Sequence, residues 1–449
     1  MKLRKIAYLN NKIHTIYRLN ICGKNMLIKM QVDAGDVGEL QVNVVDSNNV
    51  PIKDAKVIIR LPRQLQDNQQ NQVQTVEELN TDSSGQTQVV DLSAPPLSYS
   101  LDENNTIRPY TNYDVEIDAP GYETENIENV EILPESLAIQ NVKMQKSQVK
   151  RTKNISIPPH TLYYEYPPKI PEDEIKDVNE PGEIVLSRVV VPEYVVVHDG
   201  APSSNARDYY VTYKDYIKNV ASSEIYATWP QATLEANILA IMSFTLNRVY
   251  TEWYRNKGYD FTITSSTAYD QKWINGRNIF ESISLVVDNI FDQYLSFPDV
   301  RQPILTQYCD GRRVTCPNWL SQWGSCNLGE QGYSTLEILR NYYGSEIYIN
   351  TAEQISGIPA SWPGYNLDIG SSGPKVQQMQ QQLDTIAEVY TAIPRVEADG
   401  IFGEGTQASV KAFQKIFDLP QTGIVDFATW YKISQIYVGI TRIAEGIPR

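Results

Sequence analysis

Alternating apolar and polar positions dominate the first third of the chain. From Gly38 onward, Leu40, Val42 and Val44 alternate with polar residues, Asp46-Ser47-Asn48-Asn49 supplies turn chemistry, and Ala55, Val57 and Ile59 alternate again. A period of two marks strands with one buried face. Gln-rich sequence from Gln64 to Gln74 reads as a loop, and Tyr113, Val115 and Ile117 resume the alternation before Pro120-Gly121. Short strands at this spacing predict a small β-sandwich over residues 36–145.

The pattern then breaks. Pro158, Pro159, Pro167, Pro168, Pro171 and Pro181 interleave with the acidic run Glu172-Asp173-Glu174. Proline at this density keeps a chain extended, so residues 146–190 read as an exposed linker of the kind proteases cut. Beyond it the period becomes helical. A helix opens at Thr228-Trp229-Pro230, with proline at the favoured first position. Leu234, Ile238, Ile241, Thr245 and Val249 hold one face to about Arg255, and Asn256-Lys257-Gly258 closes it. Ile279, Ile283, Val286, Val287 and Ile290 mark a second helix. Strand-like and irregular sequence surrounds both, so residues 191–355 read as an α+β domain. A last unit, residues 365–442, carries three helical stretches: Val376 to Leu383, Val410 to Phe413, and Trp430 to Ile436.

At 449 residues the chain exceeds one hydrophobic core, consistent with about three domains. Its formal charge of −15 excludes the basic face a nucleic-acid binder needs and suits an anionic membrane surface poorly. No apolar run reaches the ~18 residues of a membrane helix; the richest, Val189 to Val197, is broken by Pro192 and Glu193. The first thirty residues hold Lys2, Arg4, Lys5, Lys12, Arg18, Lys24 and Lys29 and no acid. Asn10, Asn11, Lys12 and His14 stand where a secretory signal needs its apolar core, so no signal peptide is read. Residues 1–35 are expected to be a disordered extension, or translation begins at Met26 or Met30. The 29 Tyr and 7 Trp against 9 Phe suit surfaces that stack on sugar rings, and equally any wet interface. Four cysteines are too few for a disulfide scaffold. Cys309, Cys316 and Cys326 cluster without a nearby His, so they are expected to be unpaired thiols, with a disulfide or a zinc site as alternatives. No metal or cofactor is called for.

One stretch carries chemistry. Val220-Ala221-Ser222-Ser223-Glu224-Ile225-Tyr226-Ala227-Thr228-Trp229-Pro230 sets one carboxylate among apolar and aromatic residues. Desolvation there raises a carboxyl pKa, and an acid still protonated near neutrality can protonate a glycosidic oxygen. The plainer alternative is that Glu224 caps or salt-bridges a helix end.

Residues 215–344 resemble the SpoIID/LytB family of peptidoglycan-cleaving domains. The likeness rests on three ordered blocks: Asn219 to Glu224 with Trp229-Pro230-Gln231-Ala232; Ser266-Thr267-Ala268-Tyr269-Asp270-Gln271; and Leu320-Ser321-Gln322-Trp323-Gly324 with Gln331-Gly332-Tyr333 and Glu337 to Gly344. The resemblance implies Glu224 as catalytic acid and Tyr269, Gln271, Ser321, Gln322 and Trp323 as substrate-positioning residues. Trp323 stands where the family usually has Tyr, and the Cys/His zinc pattern of some members is missing. The C-terminal unit is similar to the common three-helix peptidoglycan-binding domain through Leu367, Gly370, Gly373, Val376, Met379, Leu383, Asp399-Gly400-Ile401-Phe402-Gly403, Val410, Phe413-Gln414, Gly423 and Thr429-Trp430. Asp399 and Phe402 are its expected exposed contacts to glycan or stem peptide. The N-terminal unit is similar, at fold level only, to prealbumin-like or Ig-like modules.

The whole order resembles the clostridial spore cortex-lytic enzymes. That resemblance implies a zymogen held in the spore and opened by a subtilisin-like Csp protease, with cortex peptidoglycan as substrate. The β-sandwich and linker would be pre- and pro-sequence, with Lys150-Arg151 and Arg188 as candidate cut sites. It further implies lytic transglycosylation of the MurNAc–GlcNAc bond. The alternatives are a muramidase in which Asp260 or Asp270 activates water, and a protein that only anchors in the cortex.

Overall fold

The computed structural model describes residues 7–9, 12–21, 24–31, 35–47, 50–62, 75–149, 151–176, 189–192, 194–251, 253–254, 257, 259–352, 366–417 and 419–441. The Gln-rich loop at 64–74, Lys150, Pro181, Arg188 and most of the predicted helix stop at 255–258 lie outside them.

The N-terminal extension carries strands rather than the expected disorder. β1 (Ala7–Leu9), β2 (Lys12–Ile21) and β3 (Lys24–Gln31) form an antiparallel sheet in that order. In β2 the sequence alternates over Lys12 to His14 and again over Tyr17 to Ile21, with Thr15-Ile16 out of phase, a partial period-two pattern hidden beneath the charge.

The next unit contains β4 (Asp36–Asp46), β5 (Lys56–Arg60), β6 (Thr75–Asn80), β7 (Val90–Ala94), α1 (Ser98–Leu101), β8 (Thr111–Asp118), β9 (Thr124–Ile132), β10 (Leu137–Met144) and β11 (Thr152–Ser156). They build two sheets. One runs β11-β9-β8-β5-β6; the other, β10-β4-β7, is extended at the β10 edge by a strand from far along the chain. Leu40, Val42 and Val44, Val57 and Ile59, and Val115 and Ile117 are fully buried, as the alternation predicts.

The central unit follows with β12 (Tyr194–His198), β13 (Asp208–Thr212), α2 (Tyr213–Glu224), α3 (Gln231–Tyr250), β14 (Ile263–Thr264), β15 (Ile279–Phe280), α4 (Glu281–Ile290), β16 (Gln293–Ser296), β17 (Tyr308–Cys309), β18 (Leu320–Ser321), α5 (Gln322–Glu330), α6 (Thr335–Tyr343) and β19 (Tyr348–Thr351). Helix α3 is buried all round from Ala236 to Tyr250, so neighbours cover every side of it. The predicted second helix begins two residues late because Ile279 and Phe280 are β15, paired with Ile139 and Ala138 of β10.

The strand pairing between β15 and β10 changes the domain picture. The first two units share one continuous hydrophobic core from Leu40 to Ala352. Arg277 crosses between them, donating to Glu131 Oε2 at 2.7 Å and to the Ser222 carbonyl at 2.6 Å. Asn278 exchanges two hydrogen bonds with the Glu131 backbone. Gly276 has φ 78°, and a Cβ there would lie 2.7 Å from Ile155, so only glycine allows this approach.

Three helices, α7 (Pro374–Val389), α8 (Glu404–Ile416) and α9 (Phe427–Thr441), form a separate core around Met379, Leu383, Val410, Phe413 and Trp430. Two buried glutamines organise its turns in the same way. Gln380 accepts from Gly400 N–H and donates to the Ile401 carbonyl and Thr406; Gln414 accepts from Gly423 N–H and donates to the Ile424 carbonyl and Thr429. Gln380→Leu strands these partners, so this unit is expected to lose about 1–3 kcal/mol in denaturant melts.

Candidate functional site

Glu224 ends α2, completely buried. Thr212 caps the helix start by accepting from Asp215 N–H, and the chain leaves in extended conformation at Ile225. The carboxylate has two donors: Lys272 N–H to Oε1 at 2.7 Å and the Tyr308 hydroxyl to Oε2 at 2.5 Å. A third group is cationic. The Lys169 ammonium lies 4.2 Å from the centre of the Tyr308 ring and donates to the Asp270 carbonyl at 2.6 Å. Burial raises the Glu224 pKa and outweighs the opposing pull of Lys169, Tyr308 and the Lys272 N–H. The outcome is a desolvated acid with directional donors, the environment that tunes a carboxyl for proton transfer.

The three sequence blocks converge here. The second meets Glu224 through Lys272, the residue after Gln271. The third meets it through β18, whose Leu320 and Ser321 pair with Tyr308 and Cys309 of β17. The individual roles differ from those expected. Gln271 is fully buried and internally satisfied: its amide donates to the Ile241 carbonyl, and its oxygen accepts from Tyr216 and Thr245. Ser321 caps α5 by accepting from Gly324 N–H. Trp323 is buried against Trp229, ring centres 5.2 Å apart, and against Tyr226. Gln322 is fully buried with neither amide atom partnered among the described residues. Tyr269 is half-buried, and its carbonyl accepts from Arg248. Tyr308 lies outside the three blocks, so no motif pointed to it; the β17–β18 pairing sets it beside the third block, and its hydroxyl reaches Glu224.

Asp270 has no capacity left to activate water. It is fully buried and accepts from Arg248 Nε at 2.8 Å, the Tyr254 hydroxyl at 2.6 Å, and the Thr264 N–H and hydroxyl. Asp260 is exposed.

The proline-rich segment is the largest departure. It is exposed only in part: Pro158, Pro159, Tyr164, Glu165, Pro167, Pro168, Ile170 and Pro171 face outward, as expected, but Ile157, His160, Thr161, Leu162, Tyr166, Lys169 and Lys176 are buried. Its first part, β11, is a sheet strand parallel to β9. Of the candidate cut sites, Arg151 is exposed, while Lys150 and Arg188 lie outside the described residues. Glu172 forms a two-pronged ion pair with Arg248, at 3.0 and 2.6 Å, and also binds Lys176. Burial opposes its ionisation, yet Arg248 and Lys176 win and pull its pKa from 4.5 down to about 2. A depressed carboxylate contributes stability above its unfolded pKa and loses it as pH falls through the folded value. The melting difference between the wild type and Glu172→Gln is therefore expected to be largest above about pH 4.5 and to close towards pH 2, from roughly 2 kcal/mol.

Cys309 and Cys316 form a disulfide with Cα atoms 5.7 Å apart, where unpaired thiols were expected. The pairing also removes two ligands from the zinc alternative; Cys326 is a buried free thiol. Asp310 and Gly311, at φ 76°, turn the chain so that the two cysteines meet. No group of three or more His, Cys, Asp or Glu side chains is placed to hold a metal among the described residues. None of the described helices is long and apolar enough to cross a membrane.

In the C-terminal unit Phe402 is core, 1% exposed, which corrects the expectation that it meets glycan. Its neighbour Ile401, 59% exposed, takes the outward position. Asp399 is exposed but serves its own turn, accepting from Ile401 N–H and Gln380.

No curated protein matches the chain. Among solved structures, the SleB N-terminal domain is 27% identical over 16% of this chain and 93% of that one, with a TM-score of 0.15. Catechol 1,2-dioxygenase from Pseudomonas arvilla C-1 is 17% identical over 26% of this chain and 55% of that one, at 0.19. GBS52, the minor pilin of Streptococcus agalactiae, is 13% identical over 29% and 56%, at 0.17. At such TM-scores these likenesses carry no fold or function to this chain. Residues 372–433 match the family described as "Putative peptidoglycan binding domain", so the three-helix unit at the end of the chain is a peptidoglycan-binding domain.

Proposed function

We propose that the chain is the precursor of a spore cortex-lytic enzyme that cleaves peptidoglycan glycan strands as a lytic transglycosylase, with Glu224 as its acid. The observation that carries this reading is a fully buried carboxyl with a raised pKa, held by Tyr308 and Lys272. The peptidoglycan-binding domain supports the substrate class by keeping the catalytic unit at high local concentration on the wall. The order of units, including the two-sheet β-sandwich and the SpoIID-like centre, is similar to that of the clostridial enzyme SleC. That likeness supports storage in the spore and activation by a Csp-type protease.

In this mechanism Glu224 protonates the oxygen between N-acetylmuramic acid and N-acetylglucosamine as the bond breaks. Its carboxylate then takes the proton of the muramic 6-hydroxyl, which closes a 1,6-anhydro ring. One carboxyl serves both steps, unlike the paired carboxylates of hydrolases. The saturated Asp270 weighs against the muramidase alternative. Muropeptides released from purified cortex by the proteolytically opened chain are expected to carry anhydro ends in mass spectra. Reducing ends mean a hydrolase, and binding without any release means an anchor.

A further inference from the structure

We propose that a cavity between the two-sheet unit and the central unit binds a peptidoglycan disaccharide bearing its stem peptide, with sugar against Trp323 and a peptide carboxylate on Arg312. The proposal rests on the reading of peptidoglycan as the substrate, and it gives the chain a contact with that polymer apart from the C-terminal domain.

The cavity has a volume of about 480 Å³, within the ~300–1,000 Å³ of small-ligand sites. Three stretches of chain line it: α1 with the loop that follows, residues 162–165, and Tyr226, Arg312 and Trp323 of the central unit. The loop after α1 is braced from within. Asn105 donates to the carbonyls of Tyr99 and Ile107 and accepts from Ile107 N–H. It is also fixed from outside. Thr228 and the Trp229 indole N–H donate to Ser100, Asn327 donates to Glu103, and Arg312 donates to the Asn105 carbonyl. The site is therefore preformed, and a ligand does not have to order it.

The inner wall is aromatic. Tyr226 and Trp323, 2% and 3% exposed, meet edge to face with ring centres 6.0 Å apart, and Tyr164 lies exposed at the mouth. Such rings offer flat apolar faces to the C–H faces of a sugar. The Trp323 indole N–H has no acceptor among the described residues, whereas the equally buried Trp229 N–H bonds the Ser100 carbonyl. A buried donor without a partner is costly, and the N-acetyl carbonyl of an amino sugar is an acceptor of the right kind.

The rim is charged. Arg313 is committed to Asp310 and to the Thr161 and Leu162 carbonyls. Arg312 is exposed and, among the described residues, spends one arm on the Asn105 carbonyl. Its other arm is open to a carboxylate, which a guanidinium holds by charge-assisted hydrogen bonds. Asp102 and Glu165, also exposed in the lining, match a free amine on the stem peptide. A bare glycan leaves these charges unused, and a polyanion meets two acids. A sugar joined to a zwitterionic peptide uses both the wall and the rim. Because both units line the site, its ligand stabilises their joined form.

The test measures amide exchange by mass spectrometry on the full chain, with a purified disaccharide-tetrapeptide, a peptide-free N-acetylglucosamine oligomer, or the free tetrapeptide added. The disaccharide-tetrapeptide is expected to slow exchange in peptides covering 99–109 and 162–165, and to do so at concentrations at least tenfold lower than either half alone. Arg312→Glu, a surface change, is expected to raise the half-protecting concentration at least tenfold. Trp323→Phe, which keeps a ring and loses the N–H, should raise it about fivefold with the melting transition unchanged. Protection confined to residues 366–441 overturns the cavity and leaves the substrate reading intact; protection in neither place sinks the substrate reading as well. Unaltered affinity in Arg312→Glu overturns the proposal, and this variant decides if Trp323→Phe does not fold. Equal protection by the peptide-free oligomer overturns it too, since the charged rim then reads nothing.

Discussion

Glu224→Gln, made in the proteolytically opened chain, is expected to lower release of peptidoglycan fragments by about a thousandfold, within the ~10²–10⁴ range of general acid catalysis. Glutamine keeps the volume of the side chain and an acceptor oxygen for Tyr308 or Lys272 N–H, so fold and substrate binding should survive. A circular dichroism melt separates the two effects: an unchanged transition with lost activity assigns the loss to chemistry. The pH profile adds a second check. Burial holds the Glu224 pKa above the usual carboxylate range, and the acid must be protonated to act. Cleavage by the wild type should therefore fall as pH rises through that raised value. Retained cleavage in Glu224→Gln removes the acid from the mechanism.

Arg277→Met is expected to cost about 3–5 kcal/mol, because it leaves the Glu131 carboxylate buried without its partner. Both side chains are essentially inaccessible, and Arg277 also holds the Ser222 carbonyl two residues before the acid. The loss should appear as a lower melting temperature of the large two-unit core, with the C-terminal domain unaffected, since its core is separate. Replacing both partners, Glu131→Met with Arg277→Met, should recover most of the stability, since no buried charge then lacks a counter-ion. Equal losses in the single and double variants show that the pair is not what joins the units.

The legibility of the chain followed the range of the interactions. Periods of two and 3.6 depend only on neighbours in sequence, so the strands at 40–44, 57–59 and 113–117 and the helices of the C-terminal domain could be read directly. The lack of helix or strand around Pro158-Pro159 and Pro167 to Pro171 was readable for the same reason, because proline fixes its own φ. The burial of its inward-facing residues was not readable, since the partners Ser223, Arg248, Ala268 and Gln307 lie between 62 and 137 residues away along the chain. Composition misled at the N-terminus, where basic charge concealed a strand alternation. The cysteine pairing turned on one glycine turn rather than on spacing.

What the sequence determined by itself was the order of units, the peptidoglycan-binding domain and the position of one carboxyl among apolar residues. Local pattern and turn chemistry suffice for these. Only the tertiary structure decided that Tyr308 and Lys169 meet that carboxyl, that Asp270 is saturated by Arg248, Tyr254 and Thr264, and that β15 joins the first two units into one core. Each of these is a contact between distant parts of the chain, and its energy comes from desolvating groups that no local pattern brings together.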